Sequence, residues 1–113
     1  MKLISGAGTF AWPVGSAGTH WTEQLRVPDL SLGTYSIPAG GTDDQSPHTE
    51  DEIYVVTAGR ATFQAGEERV AVGAGSVIYV PAGEVHCFTD VTHNLAAVVI
   101  FAPAEDSRSP SSR

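Results

Sequence analysis

The chain has 113 residues and a mass of 11.8 kDa, the size of one domain, whose core can close without a disulfide or a structural metal. Six Lys and Arg stand against 13 Asp and Glu, and a net charge of −7 argues against a surface for nucleic acid or for an anionic membrane. A single cysteine, Cys87, leaves no intramolecular disulfide, and no apolar run approaches the roughly 20 residues of a membrane span, so the chain reads as cytoplasmic.

The first segment, Leu3 to Trp12, is mildly apolar, broken by Ser5, Gly6 and Gly8, and followed by no signal-peptide cleavage pattern. Trp21–Val27 and Leu30–Ile37 read as two strands split at Pro28-Asp29, the second closed by Pro38-Ala39-Gly40-Gly41. Ser46 to Glu52 carries helix-start signals, namely a cap serine, Pro47 and acids in the first turn. The residues after it, Ile53-Tyr54-Val55-Val56-Thr57, are β-branched or aromatic, so a loop feeding a strand is expected. Glu52–Ala58, Arg60–Ala65, Glu68–Val72 and Ser76–Val80 follow as strands, ended in turn by Gly59, Gly66, Gly73 and Pro81. Another strand opens at Val85-His86-Cys87-Phe88, and Asn94–Ala102 ends at Pro103. Short strands at this spacing predict an all-β sandwich or barrel with almost no helix. Residues 104–113 are Ser, Pro and charge and read as a disordered tail, which leaves 1–103 as the folded domain.

His48 lies in an acid-rich stretch with Asp43, Asp44, Glu50, Asp51 and Glu52; such carboxylates repel one another, and a bound cation would relieve the repulsion. The plain alternative is a solvated acidic loop. Strand alternation puts His86, Phe88 and Asp90 on one face and Val85 and Cys87 on the other; the plain alternative for His86 is a buried structural imidazole. Tyr54 and Val56 share the parity of Glu52 and are expected to line the interior, with Phe88 beside His86. Tyr35 and Tyr79 are further candidates, against a plain role in core packing. His20 and His93 read as solvated, and Cys87 as an inert thiol with no basic neighbour to activate it. Leu3, Ile4, Phe10, Trp12 and Trp21 exceed what a small barrel can bury, which predicts a homodimer.

The two histidine stretches resemble the two motifs of the cupin family. Gly75, Pro81, Gly83 and His86 fall at the spacings of the second motif, with Asp90 where the family has Asn. In the first motif Gly40 matches the opening glycine, and Glu52 and Gly59 match its end. His48, four residues before Glu52, takes the place of the second histidine, and Ser46 stands where the first belongs. The resemblance spans roughly Gly33 to Pro103, with its motifs at 40–59 and 75–90. It implies a small antiparallel β-barrel of the double-stranded β-helix (jelly-roll) type, again as a homodimer. It also implies His48, Glu52 and His86 as metal ligands, with Gln45, Ser46 or Asp44 as candidates for a fourth position. The metal would be one divalent transition ion, Fe, Mn, Zn or Ni. The implied function is a metal-dependent reaction on a small organic molecule, of the dioxygenase type (an oxidoreductase) or a metal-assisted isomerase or lyase. The alternative is a non-catalytic small-ligand binder with a degenerate or empty metal site. No catalytic residue beyond the ligands is indicated.

Overall fold

In the computed structural model, which describes residues 1–110, the period-two sequence becomes six antiparallel strands. These are β1 (His20–Val27), β2 (Leu30–Ile37), β3 (Asp51–Ala65), β4 (Glu68–Gly73), β5 (Val77–Val80) and β6 (His86–Ala102). Their order is β1-β2-β6-β3-β4, with β5 paired to β3. The sheet curls over its own inner face in the manner of a double-stranded β-helix. It is not closed by hydrogen bonds, because β1 and β4 remain edges. There is no α-helix among the described residues.

The sequence predicts two strands where the structure has one, both across Gly59 and between Phe88 and Asn94. Gly59, at φ 90°, does not end β3 but bends it. Register shifts between Val56 and Thr62 carry the strand from its pairing with β5 to its pairing with β4. One continuous strand therefore serves both halves of the barrel. In β6 the alternation breaks at Asp90, whose φ is 49°; it turns outward to Arg69, 3.1 Å away, and does not share the inner face with His86 as expected. His93 lies within β6 and is exposed.

Inner positions of the long strands build the core. Tyr54, Val56 and Phe63 of β3 face Phe88, Leu95, Ala97, Val99 and Phe101 of β6, with Tyr35 and Ile37 of β2 beside them. At one end the rings of Tyr54, Phe63 and Phe88 meet at 5.0–5.6 Å, Phe88 edge to face with the other two, and fill the interior. The opposite end stays open as a cavity. Outside, an arm before β1 crosses β2: Thr34 and Ser36 accept the amides of Gly8 and Ala11, and Thr57 donates to the Gly8 carbonyl.

The segment after Pro103 departs from the tail expected of its composition. Ala104 is buried, and the Glu105 amide donates to Ser31 Oγ at 2.8 Å. The amides of Asp106 and Arg108 donate at 2.8 and 3.0 Å to the buried carboxylate of Glu50. A buried carboxylate must be satisfied, and this turn satisfies it with main-chain N–H groups. Residues 111–113 of the expected tail lie outside the described residues.

Candidate functional site

The cavity at the open end has a volume of about 200 Å³ and gathers residues from four places in the chain. Thr19 and Trp21 come from the start of β1, and Tyr35 comes from β2. Asp44, Gln45 and His48 come from the loop before β3, with Glu52 and Tyr54 on β3 itself. Val99 and Phe101 of β6 and Glu105 of the C-terminal turn complete the wall. Trp21, expected among the apolar groups a small barrel cannot bury, is 37% exposed and also packs edge-on against Tyr35 and Phe101, at 6.5 and 6.1 Å.

The loop from Pro38 to Glu50 is not a strand, so alternation does not decide which of its side chains face inward. Buried Asp43 organises it. Its carboxylate accepts from the Tyr35 hydroxyl at 2.6 Å, from the Phe88 amide at 2.8 Å and from Gln45 Nε2 at 3.0 Å. Gln45 is thereby turned into the cavity, with Nε2 also donating to the Tyr54 hydroxyl at 3.0 Å and Oε1 lying 3.2 Å from His48 Nε2. Ser46 is exposed and absent from the cavity wall, whereas Asp44 lies at the cavity edge. Of the three fourth-position candidates, Gln45 is the one beside a histidine.

Glu52 and His86 meet below this layer. Both side chains are 1% exposed, and Glu52 Oε1 stands 3.1 Å from His86 Nε2. The contact is one of charge; neither Glu52 oxygen has a hydrogen-bond partner of good geometry. Nδ1–H of His86 donates to the Glu84 carbonyl at 2.7 Å; in the neutral ring Nε2 then accepts from the Tyr54 hydroxyl at 3.1 Å, and in the protonated ring Nε2–H faces Glu52. Burial opposes protonation of His86, but Glu52 and the Glu84 carbonyl outweigh it and hold the imidazole above its ordinary range. Burial and the Glu52 charge push the Tyr54 phenol well up, so it stays a donor.

His48 stands across the cavity, its ring 6.1 Å from that of His86 and 4.6 Å from that of Phe101. Its Nδ1 is 3.7 Å from Glu105 Oε2, a carboxylate absent from the sequence reading because its whole segment was read as a tail. Burial, with Asp106 and Glu23 nearby, pushes the Glu105 carboxyl up to about 7. Among the described residues no three His, Cys, Asp or Glu side chains already enclose a point at ligand distance. The four polar groups instead stand as two couples, Glu52 with His86 and His48 with Gln45.

Two expectations about the lining are corrected. Val56 and Phe88 do not reach the cavity; they are fully enclosed in the core, Phe88 lying behind the Tyr54 ring at 5.1 Å. Tyr79 is on the outer face, 61% exposed, because β5 presents that parity to solvent. The acidic stretch is also not a simple cluster of repelling charges. Asp43 and Glu50 are held by protein donors, as is Asp51, which accepts the Ala82 amide at 2.9 Å, while Glu52 accepts no hydrogen bond and has His86 beside it. Cys87 is half-buried, and burial pushes its thiol up, in line with an unreactive side chain.

Residues 33–103 match the family described as the cupin domain. Over 81 residues the chain is 46% identical to an uncharacterized protein of Streptomyces coelicolor, covering 72% of this chain and 77% of that protein. Its fold is similar to that of KdgF from Halomonas sp., with a TM-score of 0.73 at 18% identity over 86% of this chain and 90% of that one. It is also similar to the DMSP lyase DddQ from Ruegeria pomeroyi DSS-3, with a TM-score of 0.71 at 20% identity. That match covers 90% of this chain and 54% of the lyase, so the chain spans about half of the lyase's length.

Proposed function

Since this chain belongs to the cupin family, we propose that its cavity binds one divalent transition metal through His48, Glu52, His86 and Gln45 and acts on a small organic molecule. The observation that carries this reading is the Glu52 carboxylate. It is 2% exposed, neither oxygen accepts a hydrogen bond, and the His86 imidazole stands 3.1 Å from one of them; a cation is a usual way to compensate a buried charge of this kind. The donors around it support the fit. Gln45 Oε1 and His48 Nε2, 3.2 Å apart, are both acceptors unless a proton or a cation lies between them. Two imidazoles, a carboxylate and an amide oxygen suit Fe(II), Mn(II), Ni(II) or Zn(II). Such an ion supplies Lewis acidity at a substrate oxygen, or, if redox-active, chemistry with dioxygen.

The chain's own residues supply the rest. The Glu84 carbonyl fixes His86 in the tautomer whose Nε2 carries a lone pair, the form a metal ligand needs. Tyr54 remains protonated and ties His86 to Gln45, so the donors from β3, β6 and the loop form one hydrogen-bonded set. Trp21, Tyr35, Val99 and Phe101 give the substrate an apolar wall that keeps out bulk water. Both a dioxygenase-type reaction and a metal-assisted isomerisation or elimination fit this arrangement. Elemental analysis of protein purified without an affinity tag should find about one equivalent of transition metal. Calorimetry with Zn(II) on the stripped protein should show one saturable site. An empty protein with no such site would overturn the reading and leave the non-catalytic ligand binder, the second reading that exposed Ser46 favours.

Self-association belongs to the same proposal. Leu3 and Trp12 are 84% and 65% exposed, and Ile53, Val77 and Tyr79 form an apolar row on the outer face of β3 and β5. Light scattering at high micromolar concentration should give twice the 11.8 kDa chain mass; a monomer would refute it. Cytoplasmic residence is proposed on the lone cysteine.

A further inference from the structure

The cavity has a sign. Among the described residues three carboxylates, Asp44, Glu52 and Glu105, line it, and no lysine or arginine does. Arg26 comes near, but it donates to the main-chain carbonyl of Glu105 at 2.9 Å and pairs its charge with Glu23 at 2.8 Å. A divalent ion on Glu52 would offset two of these charges, so the sign is clearest in the metal-free cavity, where Glu105 and Asp44 also face the ligand space. The same cavity is lined by an aromatic corner in which Trp21 stands edge-on to Tyr35 and Phe101, at 6.5 and 6.1 Å. Ring faces and carboxylates attract the same kind of group, a soft organic cation, and both disfavour an anion. The Glu52 carboxylate, which lines the same space and accepts no hydrogen bond, adds to that potential in the metal-free protein.

Glu105 is also not a chance visitor. Its backbone is fixed by Ser31 Oγ on one side and, through the next residue, by the buried Glu50 carboxylate on the other. The turn is a built wall, and it places a half-buried carboxylate over the ligand space at a fixed position.

We propose that Glu105 is a specificity-determining residue: the C-terminal turn presents its carboxylate to the cavity so that the site accepts a small molecule bearing an ammonium-type cation and rejects carboxylates. This rests on the reading above for the cavity as the ligand site, and it names the charge class of what enters.

Three probes of nearly equal shape test it: choline, its neutral isostere 3,3-dimethyl-1-butanol, and the anion 3,3-dimethylbutyrate. Each is titrated at pH 8.5, above the value of about 7 to which burial raises Glu105, into wild type and Glu105→Gln, with and without Zn(II), following the indole N–H signal of Trp21 by NMR. Choline is expected to bind wild type about tenfold more tightly than the alcohol, with the anion weakest. Glu105→Gln is expected to bring choline and the alcohol to within about twofold while the alcohol keeps its affinity. Equal binding of the three probes, stronger binding of the anion, no saturable binding of choline, or a preference that survives Glu105→Gln would each overturn the proposal. Zn(II) uptake is measured separately on the same samples. A charge preference without Zn(II) uptake therefore sinks only the metal reading, and Zn(II) uptake without a preference sinks only this one. Melting curves of the variant confirm that the turn is intact, since Gln keeps the shape of Glu and the latch runs through main-chain atoms.

Discussion

Glu52→Gln is expected to weaken Zn(II) binding by a factor of about 100 or more, about 2.7 kcal/mol, and at the same time to raise the melting temperature of the metal-free protein. The two effects have one cause. Glu52 is buried, and neither oxygen has a hydrogen-bond partner. Without a cation it costs desolvation energy that the nearby His86 offsets only in part, and a neutral amide of the same shape does not carry that cost. A gain of about 1 kcal/mol would appear as a rise of about 4 °C for a domain of this size. Scanning calorimetry with EDTA and with excess Zn(II) reads both effects. Wild type should be stabilised strongly by Zn(II), and the variant hardly at all. If the stripped variant melts lower and still gains as much from Zn(II), Glu52 is a structural acid and the site lies elsewhere.

Gly59→Ala is expected to cost about 3–5 kcal/mol, a large part of the ~5–15 kcal/mol that holds a domain together. A Cβ on Gly59 would stand 2.3 Å from the Asn94 carbonyl oxygen and 2.6 Å from Leu95 Cα, and its φ of 90° is unfavourable to any L side chain. The obstacle is backbone, so relief requires β3 and β6 to part at the point where β3 bends. Gly66, at φ 59° in the turn after β3, has nothing within 4 Å of the same position, and its alanine variant should lose only about 1 kcal/mol. Urea titration of the two variants separates close approach from dihedral strain. Similar midpoints would mean that the strands yield easily at Gly59.

Much of the architecture was legible because period-two alternation survives along most of the strands. Glu52, Tyr54 and Val56 do face inward together, as their parity requires. The family resemblance implied Glu52 and His86 in one ligand set, and the structure brings their side chains to 3.1 Å. What escaped the sequence lies where alternation stops. Gly59 reads equally as a terminator and as a bulge, and only its pairing with β6 decides between them. Ser46 and Gln45 sit in a loop, where a hydrogen bond from Gln45 to Asp43, and not parity, selects the side chain that turns inward. Glu50 is one acid among several in the sequence, and nothing there separates it from its neighbours. Its role as the anchor of the C-terminal turn emerges only when Asp106 and Arg108 come back across the barrel, bringing Glu105 to His48. Phe88 shares the face of His86, yet the Tyr54 ring stands between it and the cavity.

The position of β6 has a kinetic meaning. It is the last strand in the chain, yet it lies between β2 and β3, with Phe101 opposite Ser31, about 70 residues earlier. The β1–β2 and β3–β4 hairpins can form from local contacts, but they must wait with unsatisfied edges until β6 is inserted between them. Folding dominated by such distant pairings belongs to the millisecond-to-second range, long enough for those edges to find one another on separate chains. The recovery of this protein from a concentrated refolding mixture is therefore set by how quickly β6 closes the gap, more than by how stable the finished barrel is.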